Sequence, residues 1–310
     1  MENTVKNIKI WAEEMPGYKL LDSGEGEKLE EINGPARLAS ESVAGGTKII
    51  RKEPRAWWKK TESRSWNLEA GGKQRNDFET VLDLGELGVK CKIKFKPNSK
   101  HIGIFPEQFP QWKYIARKIK NYESRIKGKD QEKIKILNLF GYTGIASLVA
   151  AKTGARVTHV DASKQSVDWA KENQKLSGLE DAPIRWIVDD VLKFLKREIK
   201  RGERYDAIIM DPPSYGKGPK GEVWKIEEEL PNFLKTCREI LSDQPLFIIL
   251  NMYSTELSSI SVANLLSDTT KDLGGSLTCG ELAIPQENSD KLLPMSIFAI
   301  WERAPYPHST

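Results

Sequence analysis

The sequence has few of the residues that build disulfide frameworks or metal clusters. Its 310 residues include only three cysteines, Cys91, Cys237 and Cys279, and they lie far apart. They form neither a paired framework nor a zinc-binding spacing, and the three histidines are equally scattered. Such cysteine usage is typical of a reducing compartment. We therefore expect a cytoplasmic protein without a bound metal.

Long apolar runs and a strong charge of one sign are also missing. No stretch approaches the ~18 consecutive apolar residues needed to cross a bilayer. Residues 1–11 lack the apolar core of a secretory signal. The 48 basic residues exceed the 44 acidic ones by four. We expect no membrane partner, and an anionic partner has to be argued from local clusters of charge.

The first 97 residues are rich in turn-forming residues. Pairs such as Pro16-Gly17 and Gly71-Gly72 interrupt short apolar runs. Residues 89–96 alternate strictly between apolar side chains and lysines, which predicts a strand with one buried face. The sequence thus predicts a small β-rich N-terminal domain over residues 1–97, with substrate recognition as its candidate role.

Residues 98–310 alternate between strands and helices. Strands are predicted at 134–140, 156–161, 184–188, 205–211 and 246–251, helices at 143–153, 163–177, 191–201, 227–241 and 258–273, and two last strands at 276–284 and 295–301. This pattern predicts an α/β fold with a doubly wound, mostly parallel sheet and helices on both faces. In such sheets ligands bind outside the carboxyl ends of the strands.

The first strand of this region ends in a glycine turn, Asn138-Leu139-Phe140-Gly141-Tyr142-Thr143-Gly144. Gly141 and Gly144 let the backbone approach a ligand where the next helix offers free amide donors. The spacing matches neither a dinucleotide-binding G-x-G-x-x-G nor a Walker loop. A purely structural turn is an equally good interpretation.

Acidic residues end the next two strands. Asp161 follows the glycine turn by about twenty residues, where a carboxylate can accept hydrogen bonds from both hydroxyls of a ribose. The alternative is that it caps the next helix together with Ser163. At Asp189 and Asp190, one carboxylate can accept from an adenine amine while the other caps a helix. The glycine turn and these acids together favour a nucleoside ligand.

The fourth strand ends in the most specific motif, Asp211-Pro212-Pro213-Ser214-Tyr215. Two consecutive prolines fix a rigid corner and lack amide hydrogens, which leaves their carbonyls free to accept. Asp211 can then accept from an amine or a water, and Tyr215 offers a flat face on which a base can stack. The alternative is a stiff loop after a buried strand.

Together, four segments resemble class I S-adenosylmethionine-dependent methyltransferases. They are NLFGYTG at 138–144, VTHVDAS at 157–163, WAKENQKLSGL at 169–179 and DPPSYGKGPKGEVWKIEEEL at 211–230. Within that class they resemble the bacterial group related to the 23S ribosomal RNA large-subunit base methyltransferases. The resemblance covers about residues 100–303 and, less distinctively, residues 18–34. It implies a Rossmann-like sheet of seven strands whose last strand is antiparallel.

The resemblance also implies roles for the residues at the strand ends. S-adenosyl-L-methionine is the implied cofactor, with the turn at 140–144 around its methionine portion, Asp161 on the ribose, and Asp190 with Val191 on the adenine. Phe105 and Gln108 match a motif that covers the methionine end, although core packing and helix capping are alternatives. The predicted cofactor-binding residues are Phe105, Gln108, Asn138, Phe140, Gly141, Tyr142, Thr143, Gly144, Asp161, Ala162, Ser163, Asp189, Asp190 and Val191. The predicted catalytic residues are Asp211, Pro212, Pro213 and Tyr215.

The stretch after the fifth strand, residues 250–254, contains no cysteine. Relatives that methylate carbon 5 of cytosine use a cysteine there, because that carbon is a poor nucleophile until a thiolate adds to carbon 6. We therefore expect a nitrogen acceptor. The RNA-binding module appended to some relatives is not recognisable in this sequence.

Basic residues cluster at 48–64 around Trp57 and Trp58, on one face of the strand at 90–96, and at 113–135. Cations beside aromatic rings suit RNA, so we expect an RNA substrate, ribosomal RNA in particular. Solvated or edge-protecting charge is the alternative. Two other functions stay open: methylation of a small molecule or protein side chain, and non-catalytic nucleotide binding by a Rossmann-type protein.

Overall fold

Strands dominate the N-terminal part of the structure, a computed structural model that describes residues 5–33, 47–52, 55, 78–95, 101–125, 133–217 and 223–304. They are β1 (Val5–Ala12), β2 (Tyr18–Gly24), β3 (Glu27–Ile32), β4 (Thr47–Lys52), β5 (Phe78–Asp83) and β6 (Lys90–Phe95). β2, β3 and β4 form an antiparallel sheet, and β5 and β6 form an antiparallel pair. The strand predicted at 89–96 is β6, with Cys91 and Ile93 buried as the alternation requires.

Helices and strands alternate after a short 3₁₀ helix at Pro106–Gln108. The elements are α1 (Phe109–Arg125), β7 (Lys135–Leu139), α2 (Ile145–Lys152), β8 (Arg156–Asp161), α3 (Lys164–Leu176), β9 (Ile184–Val188), α4 (Val191–Lys200), β10 (Ala207–Met210), β11 (Tyr215–Lys217), β12 (Val223–Lys225), α5 (Ile226–Glu239), β13 (Phe247–Met252), α6 (Ser259–Thr270), β14 (Ser276–Pro285) and β15 (Leu292–Glu302). Each strand and helix predicted in this region is present, with ends shifted by a few residues at most. No described helix is long and apolar enough to cross a membrane.

Among the described residues, eight strands form the central sheet, in the order β1-β14-β15-β13-β10-β7-β8-β9. β15 runs antiparallel to both of its neighbours, and the other pairs are parallel. The predicted Rossmann-like α/β fold with an antiparallel last strand is confirmed. The sheet is one strand larger than the expected seven, because β1 adds to β14 from the N-terminal segment. Strand β1 belongs to the predicted N-terminal domain of residues 1–97, but it pairs with β14 of the predicted C-terminal domain.

The central strands β7, β10 and β13 are largely apolar because both of their faces are covered. Successive residues of β10 point to opposite sides, so Ile209 packs in one core cluster while Ile208 and Met210 pack in the other. The first cluster contains residues of α1 and α2, and the second contains residues of α4, α5 and α6. This arrangement is the reason for the continuous hydrophobic run at 207–210.

The three-stranded sheet is attached to the connection between β14 and β15. Ser23 Oγ donates to Gln286 Oε1 at 2.8 Å, and Gln286 Nε2 donates to Asp22 Oδ1 at 3.2 Å. The Glu287 amide donates to the Leu20 carbonyl at 2.8 Å. β14 and β13 are both antiparallel to β15 and therefore run in the same direction. The connection that follows β14 thus lies at the carboxyl edge of the central sheet. The N-terminal sheet is therefore held at the edge where ligands of such folds bind.

Candidate active site

A cavity opens at the carboxyl edge, between the ends of β7 and β10 and the segment that precedes α1. Its lining brings together predicted site residues from three separate segments: Phe105, Gln108, Asn138, Phe140, Gly141, Tyr142, Thr143 and Asp211. The other predicted residues lie at the ends of the neighbouring strands or on the corner that follows β10. The prediction that these segments converge at one edge of the sheet agrees with the observed geometry.

The turn between β7 and α2 has a left-handed backbone at several positions. Phe140, Tyr142 and Gly144 have φ angles of 57°, 50° and 82°. A Cβ at Gly141 would lie 2.3 Å from His159 Cε1, and one at Gly144 would lie 2.8 Å from the Ala170 Cβ. Both glycines are thus required by packing beneath the turn.

The steric requirement at Gly144 predicts a large loss of stability for Gly144→Ala. Overpacking costs about 1–3 kcal/mol, and a left-handed non-glycine residue costs about 1 kcal/mol more. The matched control is Gly202→Ala, because Gly202 has a φ of 76° and no atom of the residues that the structure describes lies within 4 Å of the added carbon. Urea unfolding should show only the backbone cost for the control. Equal losses for the two variants would contradict the packing at Gly144.

A buried chain of hydrogen bonds supports the turn from below. Asn138 Nδ2 donates to Ser147 Oγ at 2.8 Å, and Ser147 Oγ lies 3.0 Å from His159 Nδ1. All three side chains are buried, and burial lowers the pKa of His159 to about 3. The imidazole is therefore neutral at physiological pH. These residues shape the turn, and Asn138 lines the cavity while its amide is anchored in this chain.

Asp161 lies between the glycine turn and the start of α3. Its Oδ2 accepts from the Tyr142 amide and its Oδ1 from the Ser163 amide, both at 2.8 Å. Ala162 is the single residue between Asp161 and Ser163 in the chain. Burial raises the pKa of Asp161, and these two hydrogen bonds oppose the shift. Ser163 is the N-cap of α3 through its own Oγ. The carboxylate thus holds two loops together rather than capping the helix directly.

Asp189 and Asp190 have different partners at the end of β9. Asp190 is the N-cap of α4, where its Oδ1 accepts from the Lys193 amide at 2.9 Å. Asp189 pairs with the Arg197 guanidinium and accepts from the Asp190 amide at 2.8 Å. Val191 is buried at the start of α4. The helix-capping acid is therefore Asp190, the same residue for which the resemblance implies an adenine contact.

The corner after β10 is held by the hairpin of β11 and β12. Trp224 Nε1 donates to the Pro213 carbonyl at 2.7 Å, and the Ile226 amide donates to the Ser214 carbonyl at 3.1 Å. The expectation that both proline carbonyls are free is therefore wrong for Pro213, because a tryptophan eleven positions later supplies a donor. Pro212 is buried, and Tyr215 has 52% of its surface exposed on the hairpin.

Asp211 is held by Gln108, which in turn contacts Tyr253, and sequence analysis did not group these side chains with the acid. Gln108 Nε2 donates to Asp211 Oδ2 at 2.8 Å and to the Tyr253 hydroxyl at 3.0 Å. Asp211 Oδ1 is buried without a hydrogen-bond partner among the described residues. Burial raises the pKa of Asp211 to about 7; the Gln108 hydrogen bond lowers it and the nearby charge of Glu107 raises it. The wall of the cavity thus contains one acceptor oxygen ready for a donor.

Sequence analysis missed Tyr253, which contacts the lining residues Phe105 and Gln108, and Glu107, whose charge acts on Asp211. The Phe105 ring lies 5.4 Å from the ring of Tyr142 and 5.4 Å from that of Tyr253. Tyr253 thus contacts both Phe105 and Gln108, the residue that binds Asp211. Glu107 is buried, and neither of its carboxylate oxygens has a hydrogen-bond partner in the described part of the chain. Burial raises its pKa. Tyr253 lies in the stretch 250–254 that contains no cysteine. Its hydroxyl at the end of a strand was the feature that could have identified it from the sequence.

Two lysines of β6, Lys92 and Lys94, pair with acids. Lys92 Nζ lies 2.8 Å from Glu79 and 3.4 Å from Glu172, and Lys94 Nζ lies 3.1 Å from Glu172. Lys94 also lies over the Trp169 ring at 4.6 Å. These lysines attach β6 to α3 and β5, so this cluster gives little support to RNA binding. Most of the basic cluster at 48–64, including Trp57 and Trp58, lies outside the described residues.

The comparisons with known proteins all point to methyltransferases. Residues 122–249 match the model of the S-adenosylmethionine-dependent methyltransferases. Over 182 residues the chain is 39% identical to the ribosomal RNA large subunit methyltransferase K/L of Pseudoalteromonas atlantica, covering 56% of this chain and 24% of the relative. Over 172 residues it is 28% identical to methyltransferase K of Neisseria meningitidis serogroup B, covering 54% and 45%. The chain thus spans less than half the length of these curated relatives.

A solved structure matches over nearly the whole chain. It is the SAM-dependent methyltransferase from Agrobacterium tumefaciens, with 36% sequence identity and a TM-score of 0.81. The match covers 98% of each chain, so the N-terminal strands are included as well as the central sheet. On this similarity and the family match, the chain belongs to the S-adenosylmethionine-dependent methyltransferases.

Proposed function

We propose that this protein transfers a methyl group from S-adenosyl-L-methionine to a nitrogen atom of a base in RNA, ribosomal RNA in particular. The observation that carries the proposal is the buried Oδ1 of Asp211 in the wall of the cavity, for which the described part of the chain offers no hydrogen-bond partner. A carboxylate oxygen held there by Gln108 is suited to an amine hydrogen. The names of the curated relatives, ribosomal RNA large subunit methyltransferases, support RNA as the substrate.

The residues around the cavity fit the cofactor. Gly144 occupies the N-cap of α2 without a side-chain hydrogen bond, so the first amides of that helix suit the carboxylate of the methionine portion. Asp161 has further lone pairs for ribose hydroxyls. Phe105 and Tyr142 would cover the methionine end, and Asp190 with Val191 would face the adenine.

The chemistry requires alignment more than a strong base. S-adenosyl-L-methionine, when bound, supplies a methyl group on a positively charged sulfur. Asp211 Oδ1 accepts an N–H of the acceptor and thereby turns the nitrogen lone pair toward the methyl. The buried surroundings of Asp211 exclude water and strengthen this hydrogen bond. The rigid proline corner keeps the carboxylate in place.

The raised pKa of Asp211 predicts a pH-dependent rate. Since the ionised carboxylate is the acceptor, kcat/KM should rise with pH through about 7 and level off above it. Two units below the pKa, about 1% of the carboxylate is ionised and the rate should fall in proportion. Gln108→Met should move the midpoint upward, because it removes the hydrogen bond that lowers this pKa. A flat profile between about pH 5.5 and 8.5 would contradict the role of ionised Asp211.

The N-terminal residues 1–97 are proposed to contribute to substrate recognition. Their three-stranded sheet is attached at Gln286, beside the carboxyl edge that contains the cavity. A substrate that reaches Asp211 would pass close to this sheet. Methylation of a small molecule or a protein side chain would not require substrate binding with a steep salt dependence.

The proposed function is tested by incubating the protein with labelled S-adenosyl-L-methionine and RNA from cells that lack it. Digestion to nucleosides should give one labelled base with the methyl group on nitrogen. Affinity for RNA should fall steeply with salt, as the release of counterions requires. Labelling of protein or metabolite fractions, with RNA unlabelled, would favour the other substrate class.

A further inference from the structure

We infer that Trp224 is a positioning residue that couples the cofactor turn to the acceptor corner, an inference that rests on the proposed function. Trp224 lies on β12, outside the set of predicted site residues, and makes contacts on two sides. One contact is polar and reaches the residues after Asp211. The other is aromatic and reaches the residue before Gly141.

The polar contact fixes the corner. Trp224 Nε1 donates to the Pro213 carbonyl at 2.7 Å. Two residues later, the Ile226 amide donates to the Ser214 carbonyl. The corner thus has two anchors on its hairpin side. The bond from Trp224 uses one of the two lone pairs of the Pro213 carbonyl and fixes the direction of that carbonyl.

The aromatic contact fixes the start of the turn. The Trp224 ring lies 5.8 Å from the ring of Phe140 and 5.7 Å from that of Phe233, and Phe140 also lies 5.8 Å from Phe233. Phe140 has a φ of 57°, a conformation that a bulky residue adopts only when its surroundings hold it. The triad of rings supplies that support immediately before Gly141.

One side chain therefore touches both halves of the site. Loss of its N–H should misalign the acceptor corner, and loss of its ring should release the cofactor turn. These two effects can be separated by substitution, because phenylalanine keeps an aromatic ring, although a smaller one, and removes the N–H. Alanine removes both.

The test compares Trp224→Phe and Trp224→Ala with Trp301→Phe. Trp301 Nε1 also donates to a backbone carbonyl, that of Gly274 at 2.7 Å, but at the opposite edge of the sheet. Trp224→Phe should lower kcat about 10–100-fold with the Kd for S-adenosyl-L-methionine within about threefold of the wild type. Trp224→Ala should weaken that Kd about tenfold in addition. Trp301→Phe should change neither.

A second measurement needs no acceptor. Hydrogen exchange of the Ile226 amide should be faster in Trp224→Phe than in the wild type and unchanged in Trp301→Phe. An unaltered kcat in Trp224→Phe, or equal losses of cofactor affinity in the phenylalanine and alanine variants, would overturn the inference. If the wild type methylates no RNA, the proposed function fails, while the cofactor affinities and the Ile226 exchange rate still decide the role of Trp224.

Discussion

Asp211→Ala is expected to lower kcat by about 10²–10³-fold, the usual cost of removing one preorganised hydrogen-bonding group from a reaction site. The Kd for S-adenosyl-L-methionine should stay within about threefold of the wild type. The physical reason is that Asp211 Oδ2 is bound by Gln108 and its Oδ1 is left for the acceptor. Single-turnover kinetics and calorimetry with the same preparations give the two numbers.

The matched control for Asp211→Ala is Asp206→Ala. Asp206 precedes β10 and Asp211 follows it, so the two acids flank the same strand at opposite edges of the sheet. The control should lose some stability, because Asp206 Oδ2 accepts from the Lys135 amide at 2.9 Å, and should retain kcat. A loss of cofactor binding in Asp211→Ala would make Asp211 a cofactor ligand rather than a group that orients the acceptor.

Asp161→Asn is expected to weaken S-adenosyl-L-methionine binding about 10²-fold, since hydrogen bonds to charged groups contribute about 1.5–3 kcal/mol. The carboxylate accepts two backbone amides, from Tyr142 and Ser163. A carboxamide can accept only one of them, and its NH₂ group would face the other donor. The turn would therefore shift away from α3 as the ribose contact is weakened. Calorimetric titration of the folded variant measures the loss.

Asp206→Asn controls for the general cost of this substitution, because its carboxylate also accepts a backbone amide but lies at the other edge. It should lose stability and retain cofactor affinity. Equal affinities for the cofactor in Asp161→Asn and the wild type would contradict the ribose role and leave Asp161 with the loop contacts alone.

The sheet could be predicted from the sequence wherever strands alternate with helices along the chain. The strands at 156–161 and 184–188 were predicted with their observed bounds, because apolar runs end at acids on the sheet edge. Strand β1 gave no such signal. Ile8 and Ile10 are 60% and 64% exposed, and the pairing with β14 joins segments more than 260 residues apart. Local periodicity contains no information about a partner at that distance.

The site could be predicted as a set of strand ends but not as a network. The glycine turn, Asp161 and Asp211 each follow a strand, and parallel strands bring their carboxyl ends together. The contact of Gln108 with Asp211 and Tyr253 joins three segments, the nearest two of which are 42 positions apart, through side-chain geometry alone. The charge of β6 could not be judged from the sequence for the same reason. Lys92 and Lys94 both pair with Glu172 on α3, which local sequence does not place beside them.

The most direct test of the central claim, that the cavity at the carboxyl edge holds S-adenosyl-L-methionine, is calorimetric titration of the protein with that cofactor and separately with NAD. The structure predicts one bound equivalent of S-adenosyl-L-methionine, no heat with NAD, a weakened isotherm for Asp161→Asn and an unchanged one for Asp211→Ala. Binding of NAD in preference to S-adenosyl-L-methionine, or no binding of the sulfonium compound at all, would contradict it.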